Sequence, residues 1–272
     1  MVYLLIKDLI ILGRAVPILL KDQRKTICTA GYSDELGFVR VYPTFYFDDI
    51  HVWDKVSIEV TRDSHDARNE SWKKLAQSEF KKISSIKNNK KAKETLLESI
   101  CQDCCTYDLN EKKRSLAIIK PQIEKCYLKE INATEEGKLI TMSLMDFFTT
   151  KKTQKRKPLL VKSNFSLIPY IGYRCGDNCK TKTPHNQQVL EWGGYQWIQK
   201  NPKKINQLWE NFRIFDEEWY KYFFIGNLRD QRTSWLIINI LRGKKNEDIK
   251  KEDGKILYKT GKIKSSGQTT LF

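Results

Sequence analysis

The chain has 272 residues, of which 40% are apolar, and it contains 12 Phe, 12 Tyr and 7 Trp. This composition suits one large globular domain or two small ones and excludes a wholly disordered chain. Its 49 Lys and Arg exceed its 33 Asp and Glu, so the net charge is +16 and polyanions, above all nucleic acid, are the expected partners. A lysine-rich surface that only keeps the protein soluble is the simpler alternative.

The first twenty residues are apolar but are interrupted by Lys7, Asp8, Arg14 and Pro17, and no small-residue cleavage site follows them. They predict a strand rather than a signal peptide or a membrane span. The chain has seven Cys, an odd number, which argues against a disulfide framework. We therefore expect a cytoplasmic protein that does not bind membranes.

Residues 25–30, 37–43 and 55–62 have the composition of short strands, and Val56, Ile58 and Val60 alternate cleanly in the last of them. From residue 70 the apolar spacing becomes helical, which predicts one helix through about residue 86 and a second one around 96–104. A further strand is predicted over residues 115–120. This pattern favours a small antiparallel barrel with a helical insert, which we assign to residues 1–150.

The basic run at residues 151–157 predicts a loop or linker before a second domain at residues 158–242. Capping signals at Thr183-Pro184 and Asn201-Pro202 predict two helices. The remaining predicted elements are strands at 168–175, 222–225 and 235–241. The basic tail, 243–272, is poor in apolar residues up to residue 267 and is predicted to be largely disordered, with a short extended piece at 256–258.

Several motifs occur in a recognisable order: ICTAGYSDELGFVRVYP, DSHDARNESWK, RSLAIIKP, RCGDNCKTKTPHNQQVLEW, FIGNL and SWLIINI. Over about residues 10–241 the chain thereby resembles a family of poorly characterised prokaryotic proteins that carry a dual OB-type domain. The resemblance implies a mixed α+β fold with two small antiparallel, OB-like β-barrels and helical insertions. It also implies an association with nucleic-acid processing or with bacterial conflict systems.

The segment around residue 180 has the residue types of a zinc or iron–sulfur site. Cys175, Cys179 and His185 supply three thiolate or imidazole ligands with a C-x3-C, x5-H spacing. A closed site needs a fourth ligand, for which Cys101, Cys104, Cys105 and Cys126 are available. The alternative is that the two thiols are ordinary loop residues and that the histidine lies in the first turn of a helix.

The loop at residues 63–73 is dense in charge. Asp63, Asp66 and Glu70 could hold a divalent metal for phosphodiester cleavage, with Lys73 near the scissile phosphate. The favoured alternative is a salt-bridged loop that caps a helix, with Asn69 as the N-cap. The motifs of zinc deaminases, zincins and P-loop enzymes are absent from the sequence. Whether the protein is an enzyme therefore stays open, with a nuclease as the enzymatic alternative.

OB-type barrels bind single strands through basic grooves and exposed aromatic side chains. Strand positions of this chain carry such residues, although an aromatic side chain in a strand more often belongs to a core. The predicted nucleic-acid-binding residues, with single-stranded DNA as the favoured partner, are Arg40, Tyr42, Arg68, Lys120 and Arg174.

The last five residues, QTTLF, place Gln268, Leu271 and Phe272 in a Q-x-x-L-F pattern. This pattern resembles the peptide by which bacterial polymerases and repair proteins dock on the sliding clamp, where two apolar anchors enter a pocket. The alternative is that the two apolar residues pack back on the protein. The sequence thus favours a nucleic-acid-binding accessory protein in DNA processing, repair or phage defence that is recruited to the clamp. A metal-stapled interaction module of a defence system is a further alternative.

Overall fold

The computed structural model describes residues 3–20, 24–45, 48–102, 104–130, 161–176, 179–245, 251–252 and 255–256. Within them the chain is rich in β-sheet and has a few short helices. The strands are β1 (Tyr3–Arg14), β2 (Ile18–Leu19), β3 (Lys25–Ser33), β4 (Gly37–Thr44), β5 (Asp54–Arg62), β6 (Ser71–Lys74), β7 (Lys81–Ser85), β8 (Leu116–Ile119), β9 (Gln122–Glu130), β10 (Leu167–Arg174), β11 (His185–Gln188), β12 (Trp219–Asn227), β13 (Trp235–Lys244), β14 (Lys251–Glu252) and β15 (Lys255–Ile256). The helices are α1 (Lys90–Ile100), α2 (Thr106–Glu111), α3 (Trp192–Lys200) and α4 (Leu208–Asn211), with 3-10 turns at Lys162–Asn164 and Pro202–Gln207.

The first half of the chain forms a closed five-stranded barrel. Its strands follow the order β1, β3, β4, β6, β5, and β1 pairs with both β3 and β5, so that the ring closes. Only the pairing of β4 with β6 is parallel. Alternation directs Val56, Ile58 and Val60 into the barrel, where they pack with apolar side chains of β1, β4 and β6. The predicted small barrel is thereby confirmed.

A second apolar layer lies outside the barrel. Phe38 of β4 and Ala30 of β3 lie on the outer face of the barrel. They pack against Ile118, Phe224 and other residues of the second half. Helix α1, whose first turn is capped by the side chain of Asn89, adds apolar residues to the same layer. This layer attaches the barrel to the rest of the described chain.

The second half contains two three-stranded sheets, β11-β10-β9 and β13-β12-β8. A parallel bridge between Val189 and Ile237 links one edge of each sheet, and β8 leads directly into β9. Side chains from both sheets share a buried core that includes Tyr173, Phe223 and Ile237. The two sheets therefore enclose one core between them.

One predicted helix is wrong and another begins later than predicted, and each difference has a physical reason. Residues 71–74 and 81–85 form strands β6 and β7 because Trp72 fills the barrel and the backbone pairs with β4 and β5. Residues 185–188 form strand β11, which pairs with β10, so the predicted helix begins only at Trp192. In both segments sheet pairing outweighs helical apolar spacing or a capping signal. The helix predicted after Pro202 is a 3-10 turn followed by the short α4.

The chain order of the sheets bears on the predicted domain limits. Strands β8 and β9, which precede residue 150, pair with β12 and β10, which follow residue 158. The proposed division into residues 1–150 and 158–242 therefore separates strands that are hydrogen-bonded to each other. Among the described helices, none has the length and apolarity that crossing a bilayer requires.

Candidate metal centre and sheet surface

Four potential metal ligands converge at one end of the second half. The ligand atoms of Cys105, Cys175, Cys179 and His185 all lie within 4.8 Å of one another. Cys105 directly precedes α2, Cys175 directly follows β10, Cys179 lies in the loop after it, and His185 begins β11. The three predicted ligands are thus brought together, and the fold adds Cys105 as the fourth.

The distances within this Cys/His cluster fit a tetrahedral ion. The imidazole Nε2 of His185 lies 3.6 Å from the Cys105 Sγ and 3.5 Å from the Cys179 Sγ, and these two sulfurs are 4.0 Å apart. Zinc bonds of about 2.3 Å to sulfur and about 2.0 Å to nitrogen give tetrahedral edges of roughly 3.5 to 3.8 Å. The cysteines are free thiols rather than disulfides. The cluster can therefore hold a metal such as zinc.

The protonation of the cluster is uneven. Burial raises the pKa of the Cys175 thiol far above its ordinary value. Burial also opposes ionisation of Cys179, but hydrogen bonds from the Thr181 hydroxyl and from neighbouring backbone groups lower its pKa to about 7. Burial, with a smaller contribution from Arg174, lowers the pKa of His185, so the imidazole is neutral near pH 7. A neutral imidazole beside a readily ionised thiol is a donor set that a divalent metal binds well.

A second contact joins the same two segments. Lys180, in the loop that carries Cys179, forms an ion pair with Asp108 of α2, and the Cys105 backbone N–H donates to the same carboxylate at 3.2 Å. The ring of Tyr173, on β10, packs 5.5 Å from that of His185. The start of α2 and the loop between β10 and β11 are therefore held together by side chains as well as by the cluster.

The outer face of the β9-β10-β11 sheet carries stacked aromatic rings and basic side chains. Cys126 and Leu128 of β9 pack on the inner core, so the alternate residues Lys125, Tyr127 and Lys129 face outward. Tyr127 lies directly opposite Tyr170 of β10, and the two rings stack at 5.6 Å with an interplanar angle of 15°.

Neighbouring residues extend this sheet surface, which we define by Lys125, Tyr127, Lys129, Tyr170 and Arg174. The Nζ of Lys125 lies 5.7 Å from the centre of the Tyr127 ring. Its side chain passes over Gly172, where a Cβ atom would come within 2.6 Å of the Lys125 Cγ. Arg174 pairs with Glu124 at 2.9 Å and remains about one third exposed. Arg174 was predicted from the sequence, whereas the roles of Tyr127, Lys125 and Lys129 follow only from the strand register.

The structure corrects the prediction that Arg40 lies in a basic groove. Only 3% of this residue is exposed, and its guanidinium donates to the Ser115 carbonyl oxygen at 3.0 Å, between the barrel and the second half. Burial lowers its pKa to about 10, so it still carries its charge at neutral pH. The residue is structural rather than part of an open basic groove, because alternation along β4 turns it into the seam that Phe38 also occupies.

Two of the other predicted binding residues, Arg68 and Tyr42, line the same cleft as Arg40. Arg68 donates to both oxygens of Asp66 and to the backbone oxygen of Asn227, and its side chain is 10% exposed, so it is largely committed within the protein. Tyr42 is half-buried, with its hydroxyl 3.1 Å from that of Thr26. Lys120 is exposed at the end of β8. Arg174 does not line that cleft.

The nuclease candidates do not converge either. Asp63 accepts from the backbone of His65, and Asp66 is occupied by Arg68. Glu70 is buried and accepts from the Ser115 backbone N–H at 3.1 Å and hydroxyl at 2.9 Å, while Lys73 is exposed on β6. In the described part of the chain the group that could hold a metal is the Cys/His cluster, not these carboxylates. Asn69 caps no helix, because residues 71–74 are a strand.

Gln268, Leu271 and Phe272 lie outside the described residues, and the structure does not bear on the clamp-binding prediction. In comparison with known proteins, residues 6–99 match the model of a family described as a domain of unknown function, DUF8758. The match covers just over a third of the chain, takes in most of the barrel and α1, and ends before Cys105. No curated protein matches the chain.

Proposed function

We propose that the protein binds single-stranded nucleic acid on the sheet surface and that a zinc ion in the Cys/His cluster stabilises the sheet that carries it. The observation that carries the proposal is the stacked pair of Tyr127 and Tyr170 flanked by Lys125, Lys129 and Arg174. Unpaired bases stack on aromatic rings, and neighbouring cations bind the phosphates between them. The net charge of +16 favours such a partner.

The metal and the surface belong to one sheet. Cys175 directly follows β10 and His185 begins β11, so a metal there fixes the connection between two of the three strands. Zinc in such closed sites is structural: it supplies folding energy and has no open position for a substrate. We further infer that the two sheets of the second half form a second OB-like barrel, because they enclose one core and the Val189–Ile237 bridge joins their edges.

Recruitment to the sliding clamp through Gln268, Leu271 and Phe272 completes the proposed role, as an accessory protein in DNA processing, repair or phage defence. The sequence pattern alone supports this part. Titration of a bacterial sliding clamp with the intact chain, and with a chain that lacks Leu271 and Phe272, tests it by calorimetry. Binding that disappears on truncation supports recruitment, and equal binding by both chains would contradict it.

The binding surface is tested by fluorescence anisotropy with labelled single-stranded DNA, single-stranded RNA and double-stranded DNA. Tyr127→Ala is expected to weaken single-strand binding by roughly ten- to a hundredfold, since one stacked base contributes about 1 to 3 kcal/mol. Tyr3→Ala is the matched control, because Tyr3 is 64% exposed on the barrel. An unchanged affinity of Tyr127→Ala would exclude the sheet surface.

The phosphate contacts are tested through salt dependence. Lys129→Ala is expected to lower affinity for every sequence and to reduce the slope of log K against log salt by about one unit. Lys81→Ala, on the exposed strand β7, is the control. Equal slopes for the two variants would place the phosphates elsewhere.

Zinc is tested by elemental analysis of protein purified without chelator. One equivalent is expected for the wild-type chain and much less for Cys179→Ser. Cys126→Ser is the control, because Cys126 lies on β9 outside the cluster. Absence of zinc and iron from the wild-type protein would overturn the metal assignment.

A further inference from the structure

A cleft of about 600 Å³ lies between the barrel and the hairpin of β12 and β13. One wall is formed by Ile18, Leu20 and Tyr42, and the other by Asn227, Leu228 and Leu236. This volume is within the range of about 300 to 1,000 Å³ that small organic ligands occupy. The cleft is separate from the Cys/His cluster, none of whose four residues lines it.

The walls of the cleft expose apolar side chains to solvent. Ile18 and Leu228 are each 40% exposed, and both belong to the small set of large apolar residues that the described chain leaves in contact with water. Both residues line the cleft. A ligand with a flat, apolar face would cover them and gain the free energy of removing them from water.

Asn227 supplies an unused hydrogen-bond acceptor. Its Nδ2 donates to the backbone oxygens of Arg114 at 3.4 Å and Arg232 at 2.9 Å, which fixes the orientation of the amide. Its Oδ1 is buried and has no hydrogen-bond partner among the described residues. A buried acceptor without a partner is costly, and a ligand in the cleft that reached it with an N–H donor would remove that cost.

The charges of the cleft nearly cancel. Its lining contains four cationic residues, Arg40, Arg68, Lys162 and Arg229, and three carboxylates, Asp63, Asp66 and Asp230. Arg68 is bound to Asp66, and Arg229 donates to Asp230 at 3.0 Å. The interior therefore favours a neutral polar ring over a phosphate cluster. A ring with an apolar face and an N–H edge is the chemistry of a nucleobase.

We propose that this cleft binds one nucleobase. When this base belongs to a nucleic-acid strand, the inference rests on the proposed function. The cleft then binds one base of the strand that lies on the sheet surface. Leu190 lines the cleft and packs against a cluster of Val16, Ile168 and Tyr195, against which Tyr170 of the sheet surface also packs. The cleft and the sheet surface thus border the same cluster, and a strand on the tyrosines passes near the cleft.

The test compares a base-bearing single strand, a strand of equal length with abasic residues, and a mononucleotide. Leu228→Asn removes an exposed apolar wall without adding charge, and Ile83→Asn is the control, since Ile83 is 55% exposed on β7. The full-length wild-type chain is expected to prefer the base-bearing strand. Leu228→Asn is expected to reduce this preference, and the affinity for the mononucleotide, by about fivefold or more.

The outcomes separate the two proposals. A preference for bases that is the same in Leu228→Asn and in the wild-type chain overturns the cleft and leaves strand binding intact. Binding of the mononucleotide that Leu228→Asn weakens, without binding of any strand, supports the cleft and overturns the proposed function. Binding of neither ligand by the wild-type chain overturns both.

Discussion

The barrel and the two-sheet half each enclose an apolar core, but different interactions close the two structures. In the barrel, backbone pairing of β1 with both β3 and β5 leaves no open edge within the ring, and apolar side chains such as Leu9 and Ile58 fill its interior. In the second half, two separate sheets meet at the bridge between Val189 and Ile237, and a Cys/His cluster lies at one end. Backbone hydrogen bonds close the first structure, whereas the second also depends on side chains.

This difference predicts which half responds to its surroundings. A core closed by backbone pairing and apolar packing depends on no additional ligand. A core whose loop connections are fixed by thiols and an imidazole depends on pH, on oxidation and on metal supply. We therefore expect the two halves to respond differently to the same treatments.

The largest effect is expected for the metal. Chelation, or Cys175→Ser, is expected to lower the free energy of unfolding of the second half by several kcal/mol; the apparent zinc affinity of about 10 to 16 kcal/mol in small zinc domains is the upper limit. Thermal unfolding followed by circular dichroism measures the change. Cys126→Ser, which alters a thiol outside the cluster, is expected to retain the response to chelator. A melting curve that chelator leaves unchanged would contradict the prediction.

The barrel core comes next. Leu9 is fully buried inside the ring, so Leu9→Ala is expected to cost about 2 to 5 kcal/mol, through lost apolar contact and a cavity. Urea unfolding should give the same loss with and without chelator. Leu5→Ala is the matched control, since Leu5 is 45% exposed on the same strand and should cost far less. A loss that depends on chelator would mean that the halves are not independent.

The seam between the halves is expected to be of intermediate importance. Glu70→Ala leaves the buried backbone N–H and the hydroxyl of Ser115 without their acceptors, at a cost of about 1 to 3 kcal/mol. Urea unfolding measures it, with the exposed Glu79→Ala as control. Equal stabilities of the two variants would show that Glu70 is not needed at the seam.

The smallest expected effect is the loss of stability at low pH when Asp66 is protonated. Burial opposes ionisation of Asp66, but the hydrogen bonds and charge of Arg68 lower its pKa to about 2. Because the unfolded value is about 3.9, the ionised carboxylate stabilises the fold above that pH, and this contribution is lost as the pH falls from about 4 to 2. The stability difference between wild type and Asp66→Asn, about 1 kcal/mol at pH 7, should shrink in this window. A difference that is constant down to pH 2 would contradict the assignment, and the exposed Asp34→Asn serves as reference.

The sequence predicted the secondary structure correctly where the local residue pattern and the tertiary fold favour the same element. The alternation of Val56, Ile58 and Val60 predicted strand β5 and its buried face, and strands around residues 118, 171, 224 and 238 were also predicted. It was misleading around Trp72, whose helical spacing from Leu75 and Ile83 is incidental to two short strands. Pairing partners distant in the chain decide such segments, and no local pattern contains them.

The site was predictable in part for the same reason. Cys175, Cys179 and His185 are close in sequence, so their common chemistry was visible. Cys105 was only one of four possible fourth ligands, because its position depends on the packing of α2 against the core. Arg40 had the right residue type for nucleic acid, but strand alternation directs it into the seam. The pairing of Tyr127 with Tyr170 follows from register, which a single sequence does not reveal.

The separation of Cys105 from His185 has a consequence for biosynthesis. The five barrel strands are all made by residue 74, whereas the last of the four ligands is 80 residues beyond the first. Domains generally fold from the N-terminus as the chain leaves the ribosome, so the barrel can form while the cluster still lacks three of its four members. With the proposed zinc site, metal supply acts late, and a nascent chain in metal-poor conditions is expected to carry a finished barrel ahead of an unfinished second half.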